Sequence, residues 1–180
     1  LFGEQVYSAD PRIRPSIVHV ALGFWGVFLL FLHLARQRRS DWEIATDSAD
    51  APIASSNTRW HTDTTALFAA LIGATCYAFS GYATSFPLQN PVILEVMTWL
   101  PWMLLGIDLA ILSGNVVWSA LASAPVALSA LAGHPATMAY GLEAAALLWL
   151  WRTVATWRAR AAHVALPRAV AGALPIPLGL

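Results

Sequence analysis

Lysine is absent from this chain, so all ten basic residues are arginine and no side-chain amine is available to form an imine. Cysteine occurs once, at Cys76, inside an apolar run; one thiol makes neither a disulfide framework nor a thiolate metal cluster. Charge is scarce as well. Only 11% of residues are charged, against roughly 25% in an ordinary soluble domain. With a net charge of zero there is no basic stripe and no case for nucleic acid as a partner. Reactive motifs are missing too: there is no His-Glu-x-x-His, no phosphate-binding glycine loop and no nucleophile elbow. The stretch Gly81-Tyr82-Ala83-Thr84-Ser85 lacks the glycine spacing expected around an intramembrane serine nucleophile. No catalytic residue and no metal site is assigned.

What the chain has is hydrophobic length: 58% of it is apolar. Five runs, Ile17–Leu34, Thr65–Phe86, Val92–Leu112, Val116–Leu131 and Ala136–Trp157, are expected to be membrane helices. At 1.5 Å rise per residue, about twenty residues cross the roughly 30 Å hydrocarbon core. The fourth run is short, and tilt, a re-entrant path or local bilayer thinning would accommodate it. The expected fold is all-α: one polytopic membrane domain over residues 1–180, with about five transmembrane helices. A bacterial inner membrane or an organelle membrane is its expected location. The chain opens on Leu1 rather than Met, so its start is expected to have been cleaved, trimmed or left out, and no signal-peptide pattern precedes the first run.

Arginine placement orients the helices. Arg36, Arg38 and Arg39 follow the first run, Arg59 precedes the second, and Arg158, Arg160 and Arg168 follow the fifth. The positive-inside rule puts both groups on the cytoplasmic side and the N-terminus outside. Arg12 and Arg14, on the outer segment, are offset by Glu4 and Asp10. The inner segment, residues 36–61, is the one long polar connection, and it reads as a surface loop too short for a second domain. The tail from Ala169 to Leu180 contains Pro175 and Pro177 and reads as an interfacial end or the opening of a sixth span. Most of the nine tryptophans suit interface anchoring and packing.

Ionisable groups within the runs are the functional candidates, because a bilayer makes them costly. They are Glu95, Asp108, Glu143 and Arg152. Asp108 and Arg152 lie at similar depth on helices of the same direction, which allows an ion pair; the alternative is a proton path from Glu95 and Glu143 toward Asp108. Histidines form the second set. His19 and His33 are fourteen residues apart on one helix, about 21 Å along its axis and about 40° around it. That spacing suits two stacked b-type haems, with His61 and His134 as partners at matching depth, or chlorophyll-type pigment ligation. The plainer alternative is histidine wetted at the interface.

The five runs also resemble helices A to E of the microbial rhodopsins. The second opens on Thr64-Thr65 and ends on Gly81-Tyr82, and a short outer loop with Asn90-Pro91 leads to a helix ending Leu104-Leu105-Gly106-Ile107-Asp108-Leu109-Ala110. The first helix carries Val20-Ala21-Leu22-Gly23, two tightly connected helices follow the third, and the N-out orientation agrees. The resemblance covers about 140 of the 180 residues, with its distinctive matches in the second and third helices. It implies that Asp108 occupies the cytoplasmic-side carboxylate position that proton pumps use as donor. It also puts Met97 at the primary counter-ion position and Leu94 at that of the usual arginine, and the last two helices are missing or incomplete. Without lysine, covalent retinal is excluded.

Three functional readings follow. The first is a non-catalytic integral membrane subunit or accessory protein packing in a larger membrane complex, with lipid and other membrane subunits as partners. Small residues such as Ala69, Ala70, Gly73 and Ala74 would let helices approach closely. The second is a b-type haem or pigment-binding electron-transfer membrane subunit. The third is a rhodopsin-like protein without a chromophore.

Overall fold

The computed structural model describes residues 13–47, 56–80, 91–159 and 162–180. Those residues are all-α. Six helices have twelve or more residues: α1 (Ile13–Asp47), α2 (Ser56–Ala78), α3 (Pro91–Ser113), α4 (Val116–Leu131), α5 (Pro135–Ala159) and α6 (Ala162–Ala173). A five-residue helix, α7 (Pro175–Gly179), closes the chain.

Two of these helices are long and apolar enough to cross a membrane, over Ile17–Gln37 in α1 and Val92–Ser113 in α3. Thr64–Ala78 and Val116–Leu131 are apolar but shorter, and α5 has the length but carries Glu143, Arg152 and Arg158. The described residues therefore supply two candidate spans where the sequence suggests five. The polar segment 36–61 is not all loop: α1 continues to Asp47 and α2 already begins at Ser56, while residues 48–55 lie outside the described residues. Good helix formers such as Arg, Gln and Glu in the first part of that segment carry α1 past its apolar stretch. Residues 81–86, expected as the outer end of the second run, also lie outside the described residues.

Glycine and polar caps fix the two tight connections. Gly114, at φ +65°, adopts the left-handed conformation that ends α3, and its N–H donates to Ala110 O at 2.9 Å. Asn115 then caps α4, its Oδ1 accepting from Val117 N–H at 2.9 Å. Gly133, at φ +78°, ends the next turn, and His134 Nδ1 accepts the Thr137 N–H at 3.2 Å at the start of α5. Connections this short make α3, α4 and α5 successive antiparallel neighbours.

The hub is α3, which packs against α1, α4, α5 and α6, while α2 lies on α1. Met103, Ile107 and Ile111 of α3, Val126 of α4 and Ala145 of α5 form the buried core. Close approach depends on small residues. A Cβ at Gly106 would come within 2.6 Å of the Ala122 Cβ, and one at Gly26 within 2.9 Å of Pro101. Several polar groups tie helices through backbone carbonyls: Trp102 Nε1 donates to Leu22 O at 3.0 Å, and Tyr77 Oη to Met97 O at 2.6 Å. Two of the tryptophans, Trp102 and Trp149, thus join helices, whereas Trp25, Trp151 and Trp157 are exposed.

The tail folds back onto the bundle. Ser119 Oγ donates to Ala171 O at 2.6 Å, and Trp149 Nε1 to Ala169 O at 2.8 Å, so α6 is held against α4 and α5. Pro167 stands inside α6 and removes a single donor, while Pro175 opens α7 where the helix divides. Gly172 and Gly179 allow the close contacts with Ile111 and Val126.

Candidate functional site

One polar cluster lies between α1, α3 and α5. Its centre is Asp108, whose side chain is fully buried. Arg152 reaches it from α5: Nη2 donates to Oδ2 at 3.0 Å, and Nε lies 2.6 Å from Oδ1 as charges in contact without hydrogen-bond alignment. Gln37 Nε2 donates to the same Oδ2 at 2.9 Å from α1. His33 Nε2, also on α1, stands 2.9 Å from Oδ2. Arg152 Nη2 donates to Gln37 Oε1 as well, which closes the ring of contacts.

Local structure explains why these four meet. His33 and Gln37 are four residues apart on α1 and share a face. Asp108 and Arg152 each stand in the last third of α3 and α5, so three helices contribute at one level. The short Asp cannot reach solvent from there, whereas the long Arg side chain can lie along the helix and bring its guanidinium inward. The Arg152 side chain is 15% exposed and that of His33 20%, so the cluster opens on one side through the cation and the imidazole.

His33 Nε2 also touches Gln37 Nε2. One ring nitrogen serves one of these neighbours at a time. With a proton it donates to the Asp108 carboxylate; without one it accepts from the Gln37 amide. Burial of a carboxylate is tolerated here because a guanidinium and two neutral donors surround it, which replaces the hydration it loses. Beside the cluster, the Thr153 hydroxyl is buried with no hydrogen-bond partner among the described residues.

The expected Asp108–Arg152 ion pair is therefore present. The other acids of the apolar runs are not drawn into it. Glu143 is exposed on α5, Glu95 is half-buried on α3, and neither has an ionic partner among the described residues. Glu95 is thirteen residues from Asp108, about 20 Å along α3, too far for direct proton transfer. The histidines have separate settings. His33 is engaged at Asp108, His134 Nδ1 meets the Thr137 hydroxyl at 2.7 Å and caps α5, and His19 contributes its carbonyl to the Thr98 hydroxyl at 3.1 Å. His61 falls in the first turns of α2, and its side chain lies outside the described residues. Among the described residues no group of three or more His, Cys, Asp or Glu side chains could hold a metal ion.

Sequence reasoning did not single out Gln37, and it weighed His33 as a haem or pigment ligand or as a histidine wetted at the interface, not as a carboxylate partner. The available signal was their four-residue spacing on the helix that also faces Asp108. No known protein family, curated protein or solved structure matches this chain.

Proposed function

We propose that this chain is an integral membrane subunit without catalytic chemistry of its own, one that packs beside other helical subunits in a larger membrane complex. The observation that carries the reading is its exterior. Phe68 and Ile72 on α2, and Leu147, Leu150 and Trp151 on α5, are all more than half exposed. In water, contiguous large side chains of this kind would drive association; in a bilayer they face their natural solvent. The interior has the complementary arrangement. Its charged pair is closed by Gln37 and His33, which satisfies groups that lipid could not.

The cluster also supports the topology argued from the arginines. Helices α1, α3 and α5, which that pattern runs from outside to inside, contribute side chains at one level, close to the inner ends of α3 and α5. As a structural clamp, the cluster fixes the relative depth of three helices. A haem or pigment on His33 would have to take Nε2 away from Asp108, leaving the carboxylate short of a donor.

Two measurements on one preparation test the proposal. Washing membranes with alkaline carbonate should leave the chain in the pellet, and native mass measurement after mild detergent extraction should find it with other membrane subunits. A chain released by carbonate overturns the membrane assignment, and one extracted alone overturns the subunit assignment. The visible spectrum separates the alternatives. A Soret band would establish haem, red bands chlorophyll, and a transparent protein fits the proposed subunit.

A further inference from the structure

The outward side of α5 carries a seam. Tyr140, Glu143, Leu147, Leu150, Val154 and Trp157 recur at alternating intervals of three and four residues, and every one is exposed. Two helices that pack along a left-handed crossing use this spacing. At about 100° of turn per residue the six fall within roughly 100° of arc. Gly141, over Met103 and Leu100, core Ala145 and Arg152, bonded to Asp108, lie on the opposite side, toward α3.

Five of the six suit lipid as well as they suit protein. Glu143 does not. Eight residues, about 12 Å of rise, separate it from Pro135, and sixteen, about 24 Å, from Ala159. On the membrane reading, a helix of this length barely exceeds the roughly 30 Å hydrocarbon core, which puts the carboxylate inside it. Glu143 has no hydrogen-bond or ionic partner among the described residues, and it stands on the far side of α5 from Arg152. Acids within membrane helices face the bundle interior, a watery cavity or a pairing group. Glu143 faces away from its own bundle, so the pairing group belongs to another chain.

We propose that this seam docks a transmembrane helix of a different subunit, one that presents an arginine or lysine at the depth of Glu143. The proposal rests on the subunit reading and adds to it which face binds and by what chemistry. A charge-assisted bond to a guanidinium or ammonium replaces the water that the carboxylate has lost, and lipid tails offer no donor. The acid does the same for the partner's cation, which would be as costly alone. Ala139 and Ala146, exposed on the flank of Glu143, let the partner's backbone approach. A second copy of this chain, docked through the same face, would set Glu143 against Glu143, and like charges oppose that pairing.

Crosslinking and charge exchange test it in the native membrane. With Leu147 replaced by photoreactive benzoylphenylalanine, illumination should join the chain to one partner helix, and sequencing of the joined peptide should find Arg or Lys in that helix. Glu143→Gln should raise the dissociation constant of the detergent-extracted complex about ten-fold, the scale of one lost charge-assisted hydrogen bond. Glu143→Lys should abolish the complex, and glutamate at the partner's basic position should restore it with that variant. A parent chain extracted alone overturns the subunit reading and this inference together. A complex that survives Glu143→Lys unchanged leaves the subunit reading standing and overturns this face. So does the absence of a crosslink, a crosslink to a second copy or to a helix without Arg or Lys, or a charge exchange that restores nothing.

Discussion

Replacing Asp108 with asparagine removes the only negative charge that balances Arg152 among the described residues. The substitution keeps the side-chain shape but turns one of two acceptor oxygens into a donor, set against a guanidinium, an amide and an imidazole already aimed at it. Breaking a buried pair by removing one partner costs about 3–5 kcal/mol. The 15% exposure of the Arg152 side chain gives the stranded cation some access to polar surroundings, so the lower end, about 3 kcal/mol, is expected. Arg152→Gln strands the carboxylate instead, which keeps Gln37 and His33 as donors, and a loss of about 2–3 kcal/mol is expected. Independent losses would sum to about 5–6 kcal/mol. The double variant leaves neither charge stranded and should lose only about 3 kcal/mol, a coupling of about 2–3 kcal/mol. Thermal unfolding in a fixed detergent, followed by tryptophan fluorescence, measures the cycle; with about 2–4 °C per kcal/mol for a chain of this length, each single variant should fall by about 4–12 °C. Strictly additive losses, or a single variant as stable as the parent, would refute a clamp made by this pair.

Gly106→Ala should destabilise by about 1–3 kcal/mol, because its methyl would press on the Ala122 Cβ and Cα across the α3–α4 contact; the same melting assay checks it. Ser119→Ala should cost about 1 kcal/mol and loosen α6, visible as faster hydrogen exchange in residues 169–173, since Ala171 O then lacks its side-chain donor. Borohydride treatment in the presence of retinal should fix none of it to the chain, which has no lysine; covalent attachment would contradict this. Cysteines introduced at positions 40 and 160 in a Cys76→Ser background should label from the same side of sealed vesicles, and labelling from opposite sides would overturn the topology.

Helical class, the limits of α3, α4 and α5, and the turns at Gly114-Asn115 and Gly133-His134 are legible in the sequence because local chemistry sets them. Apolar length, positive-φ glycine and a capping side chain all act within a few residues. The Asp108–Arg152 pair is legible for a related reason: two opposite charges at equal depth in apolar helices have few other ways to be satisfied. By contrast, α1 extends thirteen residues beyond Leu34 to Asp47, since helix propensity continues where hydrophobicity stops. Only the tertiary arrangement turned α1 so that His33 and Gln37 face Asp108. Only it gathered residues from 96 to 142 around one cleft. Rotation of a helix about its axis depends on which neighbour it packs against, and the apolar exterior here gives a weak local signal for that choice.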